Sequence, residues 1–199
     1  PIRATSKTLD RLISWTGLIM AAVLLVAGGL LTWASNFVAD NVRQQLADQH
    51  ITMPAGAAIE DPLIKPYLTE FAGQPMETGD QAKAYADHYI LVHMNKSSNG
   101  QTYSEVSAAY NKLKADKTAD PAEVTKLGDL RETLFMGSTL RGLLLNAYAF
   151  GTIGKIAMYA AWAAFAAAAA FLVLGLLGLR HAAKVGALTP ATVKATTTV

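Results

Sequence analysis

The chain has 199 residues, 52% of them hydrophobic and 16% charged, with no cysteine and a formal net charge of +2. A soluble domain carries about a quarter charged residues, so this composition, with a mean hydropathy of +0.25, speaks against a fully soluble or disordered chain. The absence of cysteine excludes a disulfide framework, a thiolate zinc site, an iron–sulfur cluster and covalent c-type haem attachment.

Residues 1–11 form a basic flank, in which Arg3, Lys7 and Arg11 face the single acid Asp10. Residues 12–36 read as the first transmembrane helix. No residue from Leu12 to Ala39 is charged, and a bilayer core takes about 20 apolar residues in a helix. Trp15 and Trp33 lie about 27 Å apart along such a helix, which makes them interface anchors at opposite faces of the bilayer. The run is longer than the apolar core of a cleavable signal peptide, so a signal anchor is expected.

Residues 37–154 read as an extracytoplasmic helical domain of about four helices. Phe37, Val38, Val42 and Leu46 continue the first helix to about Gln49. The stretch from Thr52 to Gly56 then breaks it. Asp61-Pro62 opens a short helix ending near Gly73. Thr78 starts a stronger helix, with an apolar stripe through Ala82, Tyr85, Ala86 and Tyr89, and Ser97 to Gly100 ends it. Thr102 with Glu105 is a capping-box pattern, and Asp120-Pro121-Ala122-Glu123 opens another helix. No window alternates as a strand does. The segment 134–154 is nearly as apolar as a span but carries Arg141 and four glycines. It is expected to bend near Gly151–Gly154 and to lie on the membrane, on a partner, or on the domain's own helices.

Residues 155–179 read as the second transmembrane helix, charge-free from Ile156 to Leu179. Tyr159 and Trp162 anchor one interface and Arg180 the other. Residues 180–199 form a basic, low-complexity tail. Of the 15 acids, 14 fall between Asn36 and Thr152 against 10 bases. The short flanks are basic, so the positive-inside rule puts both termini in the cytoplasm and the middle outside, across a plasma membrane.

Neither charge-free run, Leu12–Ala39 or Ile156–Leu179, contains Asp, Glu, Lys, Arg or His, which argues against a pump, a transporter or a haem held within the membrane by this chain alone. No nucleophile elbow, Walker loop or dinucleotide fingerprint occurs, and no basic stripe with interleaved aromatics points to nucleic acid. His88 and His93, with Asp87, are the only weak metal candidates. Five positions separate the two histidines, about 140° on a regular helix, whereas ligand pairs favour spacings of three or four. No cofactor is expected, and any small-molecule ligand is left open.

The spans carry small residues at helix-face spacing. Ala160, Ala164 and Ala168 form a ladder, Ala163 and Ala167 widen it, and Gly17 with Ala21 makes a weaker one in the first span. Such faces let helices approach closely in lipid. They serve either packing of the two spans on each other or docking of other integral membrane subunits.

Over Thr78–Met94 and Glu132–Gly154 the chain resembles a family of small two-span membrane proteins from high-GC actinobacteria, which has no assigned activity. The resemblance implies a plasma-membrane location and an extracytoplasmic loop, and it assigns no catalytic residue. The leading functional expectation is a non-catalytic accessory subunit of a larger membrane complex, with a respiratory assembly as one candidate host. The alternatives are an extracytoplasmic ligand-binding or sensing module and, third, a membrane-anchored metalloenzyme.

Overall fold

The structure, a computed structural model, describes the backbone of residues 2–187 and the side chains of residues 8–184. The expectations that concern Arg3, Lys7 and the tail beyond residue 187, Lys194 included, lie outside the described residues. Within them the chain is helical without strands. Six α-helices follow one another: α1 (Ile2–Ala47), α2 (Lys65–Leu68), α3 (Gly79–Tyr85), α4 (Leu91–Ser98), α5 (Tyr103–Ala115) and α6 (Pro121–Ala187). Helices α1 and α6 each contain a stretch long and apolar enough to cross a membrane. The chain divides into a two-helix unit, Pro1–Ser35 with Ile156–Val199, and a middle unit, Asn36–Lys155.

In the two-helix unit the apolar parts of α1 and α6 pack antiparallel. Burial recurs every seventh residue on both: Ser14, Ala21, Gly28 and Ser35 on α1, and Ala161, Ala168, Gly175 and Ala182 on α6. A seven-residue repeat keeps one seam of each helix on its partner. All eight seam residues are small, so the backbones come close. A Cβ added at Gly175 would lie 3.1 Å from the Ser14 carbonyl, and one at Gly28 would lie 2.7 Å from the Phe165 ring. Seryl and threonyl hydroxyls in the apolar stretch bond back to their own helix. Ser14 Oγ donates to the Asp10 carbonyl at 2.6 Å, Thr16 Oγ1 to Leu12 at 2.9 Å and Thr32 Oγ1 to Gly28 at 2.8 Å, which satisfies them without a partner helix.

The middle unit is built on a core of Val42, Leu46, Met53, Ile59, Ile64, Leu68, Met76 and the alanines of the α3 region, with Leu144 from α6. The loop after α1 pairs briefly with the loop before α3. Met53 N–H donates to Gln74 at 2.8 Å and Met76 N–H to Ile51 at 2.8 Å, which buries both methionines.

The helix starts follow their local chemistry. At α3 the Thr78 hydroxyl accepts from Gln81 N–H, and the Gln81 side-chain Oε1 accepts from the N–H groups of Thr78 and Glu77 at 3.0 and 2.8 Å. At α5 the same reciprocal cap joins Thr102 and Glu105. At α6 the Asp120 carboxylate accepts from Ala122 N–H at 2.9 Å, with Pro121 at the first helical position. Asp61-Pro62 opens a tighter turn than expected, and α2 begins only at Lys65. Asn99 in the left-handed region, followed by Gly100, ends α4.

Two helical stretches bear on these expectations. Helix α6 has no break at Gly151–Gly154, which lie within its 67 residues. Glycine in a helix costs only about 1 kcal/mol and does not remove a hydrogen bond. Here it serves close approach instead: a Cβ on Gly151 would sit 3.8 Å from Gly79 Cα, and one on Gly79 would sit 3.0 Å from Tyr148 Cα. The single regular helix expected after Thr78 is interrupted. Ala86–Ile90 forms a π turn between α3 and α4, and the extra residue per turn resets the face that follows it.

Candidate functional site

The Ala86 carbonyl accepts the Leu91 N–H inside the π turn and takes a second donor from α6. Arg141 Nε donates to Ala86 O at 3.0 Å while its Nη2 donates to Asp87 Oδ1 at 2.9 Å. Lys83 Nζ reaches the other Asp87 oxygen at 2.6 Å and lies 5.3 Å from the centre of the Tyr148 ring. Burial alone pushes the Asp87 carboxyl up. The hydrogen bonds from Lys83 and Arg141, with their charges, outweigh it and hold the group below the ordinary carboxylate value. The hydrogen bond to Asp87 holds the Lys83 ammonium above its ordinary value, against desolvation. The one charge in the apolar segment 134–154 is therefore turned inward, as the pin that fixes this part of α6 to the π turn.

The weak metal candidates are all engaged, and separately. Asp87 is held by two cations. The His88 ring stacks on Tyr67 with centroids 3.5 Å apart. His93 Nδ1 is 2.7 Å from the Tyr89 carbonyl. Among the described residues no three or more His, Asp or Glu gather as they would around a metal ion. Burial, with the neighbouring Tyr89, raises the Tyr85 hydroxyl above its ordinary value.

With Arg141 turned inward, the outward face of α6 in the middle unit is left apolar. Phe135, Met136, Leu143, Phe150 and Ile153 are each more than half exposed. They extend over about 27 Å of helix. Beside them a groove of ≈ 680 Å³ runs between the last part of α1 and α6. Its floor includes Val42, Leu46 and Leu144, and Asn41, Gln45 and Asn146 line its sides. The segment 134–154 thus divides by face: Leu134 and Leu144 are buried and pack inward, and the opposite face is uncovered. Exposed Thr139 and Asn146 lie on the same stripe, and a run of large exposed apolar side chains with a few polar groups among them is characteristic of an interaction site.

The small-residue candidates also divide. Ala21 and Ala168 lie in the seam between α1 and α6, with Gly17, Ala164 and Ala167 half-buried beside it. Ala160 and Ala163 face outward. The interface candidates Trp15, Trp33, Tyr159 and Trp162 are all more than half exposed, and Arg180 is exposed as well. Two features escaped the sequence. The seam falls on Ala161, Ala168 and Gly175, not on Ala160 and Ala164, and its signal is the seven-residue recurrence of small residues in both spans. Arg141 stood out only as a charge in an apolar run, because the π turn that receives it has no local sequence signature.

Comparison with known protein families, curated proteins and solved structures returns no match for this chain.

Proposed function

We propose that the chain is a non-catalytic accessory subunit of a larger plasma-membrane assembly, a respiratory complex being one candidate host. In this reading two antiparallel spans anchor it with both termini cytoplasmic, and the middle unit stands outside. The observation that carries the reading is the uncovered apolar face of α6 from Phe135 to Ile153. Lipid covers exposed apolar side chains inside a bilayer, but this face belongs to the middle unit. In water a face of this size is costly, at about 25 cal/mol per Å², and a partner removes the cost. The outward Ala160 and Ala163 offer the same partner a flat approach within the membrane.

The test places a photoreactive residue at Leu143 and, as a control, at the exposed Lys112, and irradiates intact cells. Crosslinking from position 143 to one defined membrane protein, without the same product from position 112, is expected. Products with lipid alone, or with a second copy of the chain alone, would overturn the reading.

The groove beside this face supports a second reading, in which the middle unit binds a small apolar ligand. Its volume falls within the range of about 300–1,000 Å³ usual for such sites. Thermal-shift screening of the full chain tests it, and the absence of any stabilising compound counts against it.

A further inference from the structure

A second groove lies in the two-helix unit, apart from the face just described. It has a volume of ≈ 710 Å³ and runs along one side of the seam. Its walls come from Asp10 to Met20 on α1 and from Phe171 to His181 on α6. Each stretch is about 15 Å long, which is half of a hydrocarbon core of about 30 Å. Gly17, Gly175 and Gly178 are among its lining residues, at the places where the two helices come close. The hydroxyls of Ser14 and Thr16 are turned onto their own helix, and the wall they leave is apolar. Asp10 and His181, which flank the apolar runs of the two helices, both line the slot. Lys184, three positions beyond His181, continues the Leu177–His181 line by one turn. None of the ion pairs among the described residues uses Asp10, His181 or Lys184.

We propose that this slot holds one aminophospholipid of the bilayer, with an acyl chain lying along the wall of Leu12, Ile13, Met20, Phe171, Leu174 and Leu177. The headgroup ammonium meets the Asp10 carboxylate, and the phosphate meets His181 and Lys184. Three observations converge on this occupant. The slot is as deep as one leaflet, not as deep as the bilayer, which suits a lipid and not a crossing helix. Its wall is apolar and the residues that flank the apolar runs are polar, in the order of a lipid's own parts. Asp10 in the lining and Lys184 one turn beyond His181 set both signs of charge against a zwitterionic headgroup. A carboxylate only accepts hydrogen bonds. A primary ammonium satisfies it, whereas a choline has no N–H to donate and a glycerol headgroup brings no cation.

The test equilibrates the full chain, purified in a neutral detergent, with equal amounts of phosphatidylethanolamine, phosphatidylglycerol and phosphatidylcholine of identical acyl chains. Native mass spectrometry then reads the lipid retained. One phosphatidylethanolamine per chain is expected, favoured by about tenfold over either competitor. Asp10→Asn should bring that preference close to one while lipid is still bound. Leu174→Trp, which fills the slot, should abolish retention, with helicity checked by circular dichroism. Ile13→Trp on the facing wall replaces it if that variant does not fold. Equal retention of the three lipids, a preference that survives Asp10→Asn, or a lipid-free dimer as the purified species overturns the proposal.

Discussion

At the scale of single residues, Arg141 and Asp87 decide how α6 meets the rest of the middle unit. Both side chains are only about a quarter exposed, so their bond is better shielded from water than the exposed pairs such as Lys65 with Glu60. Replacing Arg141 leaves one Asp87 carboxylate oxygen without its partner and removes one of the two donors to the Ala86 carbonyl, which keeps the Leu91 N–H. Arg141→Met is expected to destabilise the protein by about 2 kcal/mol, read as a lowered Tm in a detergent-solubilised melt. Lys83→Met removes a more exposed, one-turn pair and should cost about 0.5 kcal/mol. The sign of the pH dependence follows from Asp87, whose folded carboxyl lies below the ordinary value of 3.8. The unfolded chain takes up that proton first as pH falls. The contribution is therefore whole above 3.8 and is lost as pH drops through the folded value. In an acid titration the stability difference between the wild type and Arg141→Met should shrink below that point, and a difference that grows there would contradict this assignment.

At the scale of elements, the seam and the caps carry separate predictions. A Cβ at position 178 would meet Ser14 Oγ at 2.2 Å, but Ser14 Cβ only at 3.4 Å. Gly178→Ala should therefore destabilise the helix pair by about 1–2 kcal/mol. Adding Ser14→Ala should restore most of that loss, because only the hydroxyl is in the way. Failure of this rescue in an unfolding assay would mean that the seam does not run through these residues. Thr102→Ala removes a reciprocal cap on an exposed helix end and should cost about 1 kcal/mol. Gln81 differs, because it is buried and its side-chain Oε1 serves the N–H groups of both Glu77 and Thr78. Gln81→Ala should cost more than Thr102→Ala, at about 2 kcal/mol, by the same thermal measurement.

At the scale of the whole molecule, sidedness is open to direct test, since the chain has no cysteine of its own. Lys112→Cys is expected to react with an impermeant maleimide on intact cells, and Lys184→Cys only after the membrane is opened. The reverse pattern would invert the topology drawn from the basic flanks. The two units also differ in how they use apolar surface. The two-helix unit leaves large side chains such as Leu25, Leu30 and Leu174 outward, as lipid-facing residues stand. The middle unit has a buried core and still leaves one face of α6 uncovered, which is where the proposed partner belongs.

The helical class, the two long apolar helices and the main helix starts were legible in the sequence. They depend on runs of charge-free residues, on capping pairs such as Thr102 with Glu105, and on Pro121 behind Asp120, all of which act within a few positions. Three features depended on the tertiary structure. The π turn at Ala86–Ile90 pays off only through an arginine more than 50 positions away on α6. The close approach of Gly151 to Gly79 joins positions more than 70 apart, which local propensity does not contain. The choice between Ala160 and Ala161 as the seam is a choice of about 100° in rotation. In a helix that is alanine on nearly every side, only the partner helix makes that choice.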